Sequence, residues 1–202
     1  MARAQGFSLC PPELLDELVA SGLLVRMATG DTLTRRGERS DAFMMVIEGA
    51  FESRIVLESG RRHLLGFLLP GMFLGFLAII DGGPLPHDMV AHLPSIVLRM
   101  PAATVQRLRR SSMELHVAFE MQLAQRSRLL YDRVAESLLF SLRKRLALQL
   151  VQLAESVGIE RAGHWTIALC LSQADLADLL GASRQSVNAE LRALQAAGLL
   201  RV

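Results

Sequence analysis

"LSQADLADLLGASRQSVNAELRALQAAGLL" spans Leu171–Leu200 and decides how the rest of the chain is read. Ser172 stands where a helix needs its N-cap, and Asp175, three residues on, is placed to return the bond to the backbone. Leu176, Leu179 and Leu180 then share one helical face, and Val187, Leu191 and Leu194 share a face of a second helix. Gly181 follows the last turn of the first helix, where glycine enters the left-handed region at little cost. Ala182 lets the two helices close, and Ser183 caps the second. The pattern is a helix-turn-helix unit, in which the first helix holds and the second presents its N-terminal residues to base edges.

The outward side chains suit that reading. Arg184 can give two parallel hydrogen bonds to guanine O6 and N7, and Gln185 or Asn188 can pair with adenine. Arg192 extends the same outer side. Ser172, Gln173 and the backbone N–H groups at their helix start can take phosphate. The DNA-binding set is therefore Ser172, Gln173, Ser183, Arg184, Gln185, Ser186 and Asn188. The competing reading is a helical hairpin with a solvated polar face.

Upstream, period and composition change. Residues 23–100 are short apolar runs broken by Gly, Pro and Asp, with strands expected at Met44–Glu48, Phe51–Leu57, His63–Leu68, Asp88–His92 and Ile96–Arg99. A short helix near Glu13–Ala20 precedes them. So many close strands point to a jelly-roll β-barrel. After Pro101 there is no proline. A short helix there leads to Ser111-x-x-Glu114, a capping box for a long helix whose mixed apolar face calls for a second copy of itself. Leu138, Leu142, Leu146, Leu150 and Leu153 form the stripe of one further helix, and Thr166–Leu171 is a short extended piece. The basic run Arg143-Lys144-Arg145 is either a solvated face or a set of phosphate contacts. The expected fold class is α+β: a jelly-roll β-barrel over 1–110, a dimerisation helix over 111–136 and a helix-turn-helix domain over 137–202.

Composition narrows the function classes. Hydrophobic residues make up 51% of 202 residues, enough for a substantial core. The net charge of +2 hides an asymmetry: nine basic and eleven acidic side chains in residues 1–100, thirteen and nine in 101–202. Of the 22 basic residues only Lys144 is not arginine, and arginine suits forked contacts to phosphate or carboxylate. The greasy stretch Leu64–Ile80 carries Pro70 and three glycines, so a buried sheet is expected there and no membrane span. The N-terminus has no apolar signal-peptide core. Cys10 and Cys170 give neither metal-ligand spacing nor a disulfide framework, which fits a cytoplasmic protein.

The arrangement resembles the Crp/Fnr type of bacterial transcription regulator. Gly37, Glu38, Asp41, Val46 and Gly49 look like its Gly-Glu…Asp…Val-x-x-Gly stretch, "PGMFLGFLAIIDGGP" like its effector-pocket loop, and Leu171–Leu200 like its helix-turn-helix. The resemblance implies a cyclic-nucleotide-binding-type β-roll, a homodimer, an inverted-repeat DNA target, RNA polymerase as a partner and a small-molecule effector. Cyclic-AMP-binding members carry Gly-Glu-Leu in the pocket loop and an Arg-Ser pair about ten residues later. Here Phe76 replaces the glutamate and Pro86-His87 the Arg-Ser pair, while the base-contacting positions of the long helix fall at Leu130-Tyr131. The resemblance thus implies no response to cyclic AMP. Phe67, Phe73, Phe76, His87, Leu130 and Tyr131 outline a refashioned pocket for something more apolar or acyl-like.

Other sensors fit poorly. Two distant cysteines cannot supply an iron–sulfur cluster. His63, His87 and His92 are conceivable haem ligands, each read more simply as a surface or core-edge histidine, and His87-Asp88…His92 lacks a further metal ligand. In the recognition helix, the family's common Glu and Arg are replaced by Gln185 and Ala189, and Glu190 adds a negative charge, so an uncommon half-site is expected. The family continues past "GLLRV" into a β-hairpin wing; the sequence stops before it, by nature or by truncation. A regulator acting through protein contacts without DNA is the alternative. An enzyme on the barrel, such as a cupin-like oxygenase, would need convergent His and Glu ligands.

Overall fold

A computed structural model describes residues 6–201, leaving residues 1–5 of the N-terminal stretch and Val202 outside the description. The chain divides into two units. One runs through Ile55 and resumes over Leu65–Leu129; the other joins Val56–Leu64 to the chain from Leu130 onward.

The first unit begins with a helical turn at Phe7–Leu9 and helix α1 (Pro12–Ala20). Pro12 opens α1, where a missing N–H costs nothing. Strands β1 (Leu23–Met27), β2 (Thr32–Thr34), β3 (Ala42–Glu48), β4 (Phe51–Val56), β5 (Arg62–Leu68) and β6 (Phe73–Leu74) follow. Helix α2 (Phe76–Asp81) then precedes β7 (Asp88–Ala91) and β8 (Ser95–Pro101). They form two antiparallel four-stranded sheets, ordered β1-β8-β3-β6 and β2-β7-β4-β5. The barrel expected from the sequence does not close. A barrel needs one continuous hydrogen-bonded ladder, and the two sheets instead pack face to face as open layers. Met44, Val46, Leu74 and Val97 of one sheet meet Phe51, Met89 and Ala91 of the other.

The first sheet is buried on both faces along β3, β6 and β8, while edge strand β1 is largely exposed. Phe43, Met45, Phe73, Leu98 and Met100 point the opposite way and pack under α1, α2, α3 (Ala102–Ser111) and α4 (Met113–Leu139). This double burial explains "AFMMV", five consecutive apolar residues where a half-buried strand would alternate. Helix α4 spans 27 residues, roughly 40 Å. Ser112 makes its first cap, accepting from the Leu115 N–H at 3.2 Å, while the expected cap Ser111 donates back to the Leu108 carbonyl.

In the second unit, α5 is shorter than the leucine stripe predicts. It covers Leu142–Val157 because Ser141 caps it, so Leu138 belongs to α4 and is exposed. Strands β9 (Gly158–Arg161) and β10 (His164–Ile167) form a hairpin where only a short extended piece is expected. Helices α6 (Gln173–Leu180) and α7 (Arg184–Ala196) complete the unit.

Gly49, at the β3–β4 turn, has φ +83°, and a Cβ there would stand 2.2 Å from Ser95 Oγ and 2.5 Å from the Pro94 carbonyl oxygen. Substitution Gly49→Ala combines left-handed strain with overlap and should cost about 2–4 kcal/mol in urea unfolding.

Candidate nucleic-acid interface and effector region

The helix-turn-helix is assembled as its residues dictate. Ser172 Oγ accepts from the Asp175 N–H and the Asp175 carboxylate accepts from the Ser172 N–H, a reciprocal capping box. Gly181 takes φ +59° and passes its chain to Ser183, whose Oγ accepts from the Ser186 N–H at 3.0 Å. Leu176, Leu179, Leu180, Val187, Leu191 and Leu194 are all buried. That packing leaves Arg184, Gln185 and Ser186 exposed in the first turn of α7, with Asn188 half-buried one turn on.

The sequence-predicted residues differ in what occupies them. The side chains of Arg184 and Gln185 make no hydrogen bond or ion pair among the described residues. Ser186 Oγ lies 2.8 Å from Ser183 Oγ, and Gln173 Nε2 donates to Asn188 Oδ1 at 3.4 Å. Gln173 therefore braces the recognition helix as well as standing at the start of α6.

Each member of the basic run has a protein partner. Arg143 Nε donates to Glu190 at 2.6 Å, Lys144 Nζ lies 3.3 Å from the centroid of the Phe140 ring, and Arg145 donates to the Leu180 carbonyl at 2.7 Å. Arg145 thereby satisfies an orphan carbonyl at the end of α6. The sequence missed a further clamp: Arg62 forks onto Asp175 and Asp178, each at 2.7 Å. Burial opposes ionisation of Asp175, but the Ser172 hydroxyl and N–H and then Arg62 outweigh it and hold the carboxyl below its ordinary range.

Of the expected effector residues the structure brings Phe73 and Phe76 together. Phe73 and Phe76 are buried in an aromatic cluster with Phe7, Phe43 and Phe119. Phe7 and Phe43 stack on Phe73 at 4.6 and 5.2 Å, and Phe76 meets Phe43 and Phe119 edge-on at 4.9 Å. Phe67 stands apart, edge-on to His92 at 5.0 Å. Leu130 and Tyr131 lie on α4, 63% and 77% exposed. Gly75, at the loop's Gly-Phe-Leu, has φ +95° and opens α2.

Arg126, on α4, packs on the same aromatic cluster. Its guanidinium lies 4.7 Å from the Phe76 centroid and donates to the Phe73 carbonyl. His87 Nδ1 is buried and makes no well-formed hydrogen bond. Its pKa is lowered chiefly by burial and also by the Arg126 charge, against an opposing pull from the Asp88 backbone and carboxylate. Of the other histidines weighed as ligands, His92 pairs with Glu52 at 2.9 Å and His63 is exposed. Among the described residues no group of three or more His, Cys, Asp or Glu is placed to hold a metal, and no helix is long and apolar enough to cross a membrane.

Paired sheets and a capped helix-turn-helix in one chain define a two-unit DNA-binding regulator. Residues 24–112 match the cyclic nucleotide-binding domain, and residues 144–202 match the Crp-like helix-turn-helix domain. The chain belongs to the Crp/Fnr family of DNA-binding transcription regulators. It is 27% identical over its full length to the CRP-like cAMP-activated global transcriptional regulator of Mycobacterium tuberculosis, covering 90% of that protein. It is 22% identical to the cAMP-activated global transcriptional regulator Vfr of Pseudomonas aeruginosa, over 93% of this chain and 89% of that one. The fold is similar to FixK2 of Bradyrhizobium japonicum, with a TM-score of 0.80, 21% identity and coverage of 90% and 88%.

Because its folded pKa is depressed, Asp175 contributes stability above the ordinary carboxylate pKa, and that contribution is lost as pH falls through the lower folded value. Thermal unfolding of wild type should therefore fall more steeply over the acid range than that of Asp175→Asn, which is less stable at neutral pH.

Proposed function

We propose that this regulator works as a homodimer that reads an inverted repeat through α7 and takes no cyclic nucleotide. The observation that carries the DNA reading is the exposure of Arg184 and Gln185, both uncommitted, on a helix whose opposite face is locked by Val187, Leu191 and Leu194. Arg184 is the base reader, just beyond the Ser183 cap, with Gln185 and Asn188 beside it. Ser172, Gln173, Ser183 and Ser186 orient the backbone against phosphate. Two such helices, related by two-fold symmetry, meet half-sites about one helical turn apart. RNA polymerase is the partner this action requires, and the chain works in the cytoplasm.

Homodimerisation is supported by α4. Leu130, Val134 and Leu138, spaced four residues apart, are 63%, 57% and 77% exposed, an apolar stripe that a second copy would cover. Sedimentation at tens of micromolar should give a dimer, and a monomer there would reject the arrangement.

The relatives named for cAMP activation make the effector question sharp. Here the buried Phe76 ring stands where the glutamate of cyclic-AMP-binding members is expected, and Pro86-His87 supplies no guanidinium. Losing a charge-assisted contact of about 1.5–3 kcal/mol lowers affinity by roughly 10- to 150-fold before the steric effect of the ring. Calorimetry should detect no cyclic AMP or cyclic GMP binding in the micromolar range; binding that tight would overturn the reading.

The central test is DNA affinity. Arg184→Ala should cost about 1–3 kcal/mol per half-site on cognate DNA and relax selectivity at one base pair. Equal losses on cognate and scrambled DNA would assign Arg184 to the backbone.

A further inference from the structure

We propose that Gln173 is a specificity-determining residue: it anchors the oxygen of the Asn188 carboxamide, so that Asn188 offers DNA only its NH2 group and reads one base by its acceptors. The inference rests on reading α7 as the recognition helix. It adds what one base of each half-site must offer, and it gives Gln173 a part beyond the phosphate contact expected of it.

The outward side chains of α7 are not equally free. Gln185 and Arg192 are exposed, whereas Asn188 is half-buried on the flank that meets α6, one turn beyond Arg184. There Gln173 Nε2 donates to Asn188 Oδ1 at 3.4 Å. The oxygen and the NH2 group of a carboxamide diverge from one carbon. Holding the oxygen on α6 therefore sends the NH2 group the other way, and that group has no partner among the described residues.

This orientation changes what Asn188 can recognise. An asparagine pairs with adenine by laying both ends along the base edge, its oxygen on N6–H and its NH2 group on N7. With the oxygen turned to α6, only the donor end reaches a base. A lone donor suits guanine N7 or O6 and thymine O4, and it meets cytosine, whose groove edge presents the N4 amino group, donor against donor. Neither donor then recovers the hydrogen bond it gave up to water. Gln185, whose side chain is uncommitted, keeps both ends free and is the two-armed reader of adenine.

The local structure supports the polarity of the contact. Gln173 is the first residue of α6 after the Ser172 cap. Unpaired N–H groups at a helix start favour an acceptor beside them, which biases the Gln173 amide to send its NH2 group outward. The Ser172–Asp175 box fixes this turn, and buried Leu176, Leu179, Val187 and Leu191 fix α6 against α7, so Gln173 is held within reach of Asn188. A glutamate at position 173 could only accept. Asn188 would then turn its NH2 group to α6 and offer its oxygen to the groove, which inverts the bases it prefers.

The full-length protein should be used to select from a random-sequence duplex library, with Gln173→Glu, Gln173→Ala, Asn188→Ala and Arg184→Ala beside wild type. Wild type should disfavour cytosine roughly fivefold or more at one base of each half-site. Asn188→Ala should flatten that position alone. Gln173→Glu should turn its preference to cytosine or adenine, and Gln173→Ala should broaden it. A glutamate in the first turn of a helix suits the dipole, circular dichroism checks that each variant folds, and Gln173→Ala carries the comparison if Gln173→Glu does not fold. An even loss over all bases in the Gln173 variants, an unchanged profile in both, or no effect of Asn188→Ala at any position would each overturn the proposal. No selection by wild type, or selection untouched by Arg184→Ala, would instead reject α7 as the recognition helix and take this inference with it.

Discussion

The contact between the phenyl rings of Phe73 and Phe76 and those around them is the constraint on which the first unit depends. Phe7, Phe43 and Phe119 reach this pair from three separate parts of the chain, so five of the eight phenylalanines meet at one place. Favourable ring pairs contribute about 0.5–1.5 kcal/mol each beyond the area they bury. Because Phe43 and Phe73 sit on adjacent strands of the first sheet, the cluster fixes that sheet against α4. The same rings occupy the loop where a polar nucleotide pocket would need donors. One set of side chains thus packs the sheet and, on the proposed reading, fills the nucleotide's place.

The second unit is organised differently, around charges placed at helix ends. The Ser172–Asp175 box starts α6, Arg145 satisfies a carbonyl at its close, and Arg62 reaches two of its carboxylates. The leucines supply most of the burial, but these polar ties set the angle at which α7 is offered. Exposed ion pairs alone would contribute little, and it is their coupling to caps and to the buried Asp175 that gives them weight. The fold belongs to a family of regulators without catalytic chemistry, and the unit needs none: its output is the position of a helix.

Legibility in the sequence followed the range of the interactions. The helix-turn-helix was readable because caps, glycine and leucine spacing all lie within thirty residues. The main strands β3, β4, β5, β7 and β8 were readable from their turns, whereas β1, β2, β6 and β9 are too short or too exposed to show a period. Closure was not readable at all. Whether sheet edges meet depends on contacts far apart in sequence, and the expected barrel gave way to two layers. The leucine stripe from Leu138 to Leu153 ran across a helix break because spacing cannot see that Ser141 restarts the backbone. Arg126 carried a usable signal: it stands four residues after buried Gln122 on the inward stripe of α4, where a cation needs a reason.

Arg143 shows how a basic residue can govern nucleic-acid binding at second hand. Its partner, Glu190, projects from the recognition helix with its side chain only 25% exposed. With the guanidinium in place the carboxylate is electrically quiet; without it, the helix carries a bare anion toward a polyanion. An alanine scan would then score position 143 as a phosphate contact, although the lost term is repulsion from its neighbour. The two positions form one charge-balanced pair, so a chain that drops the acid also releases the base.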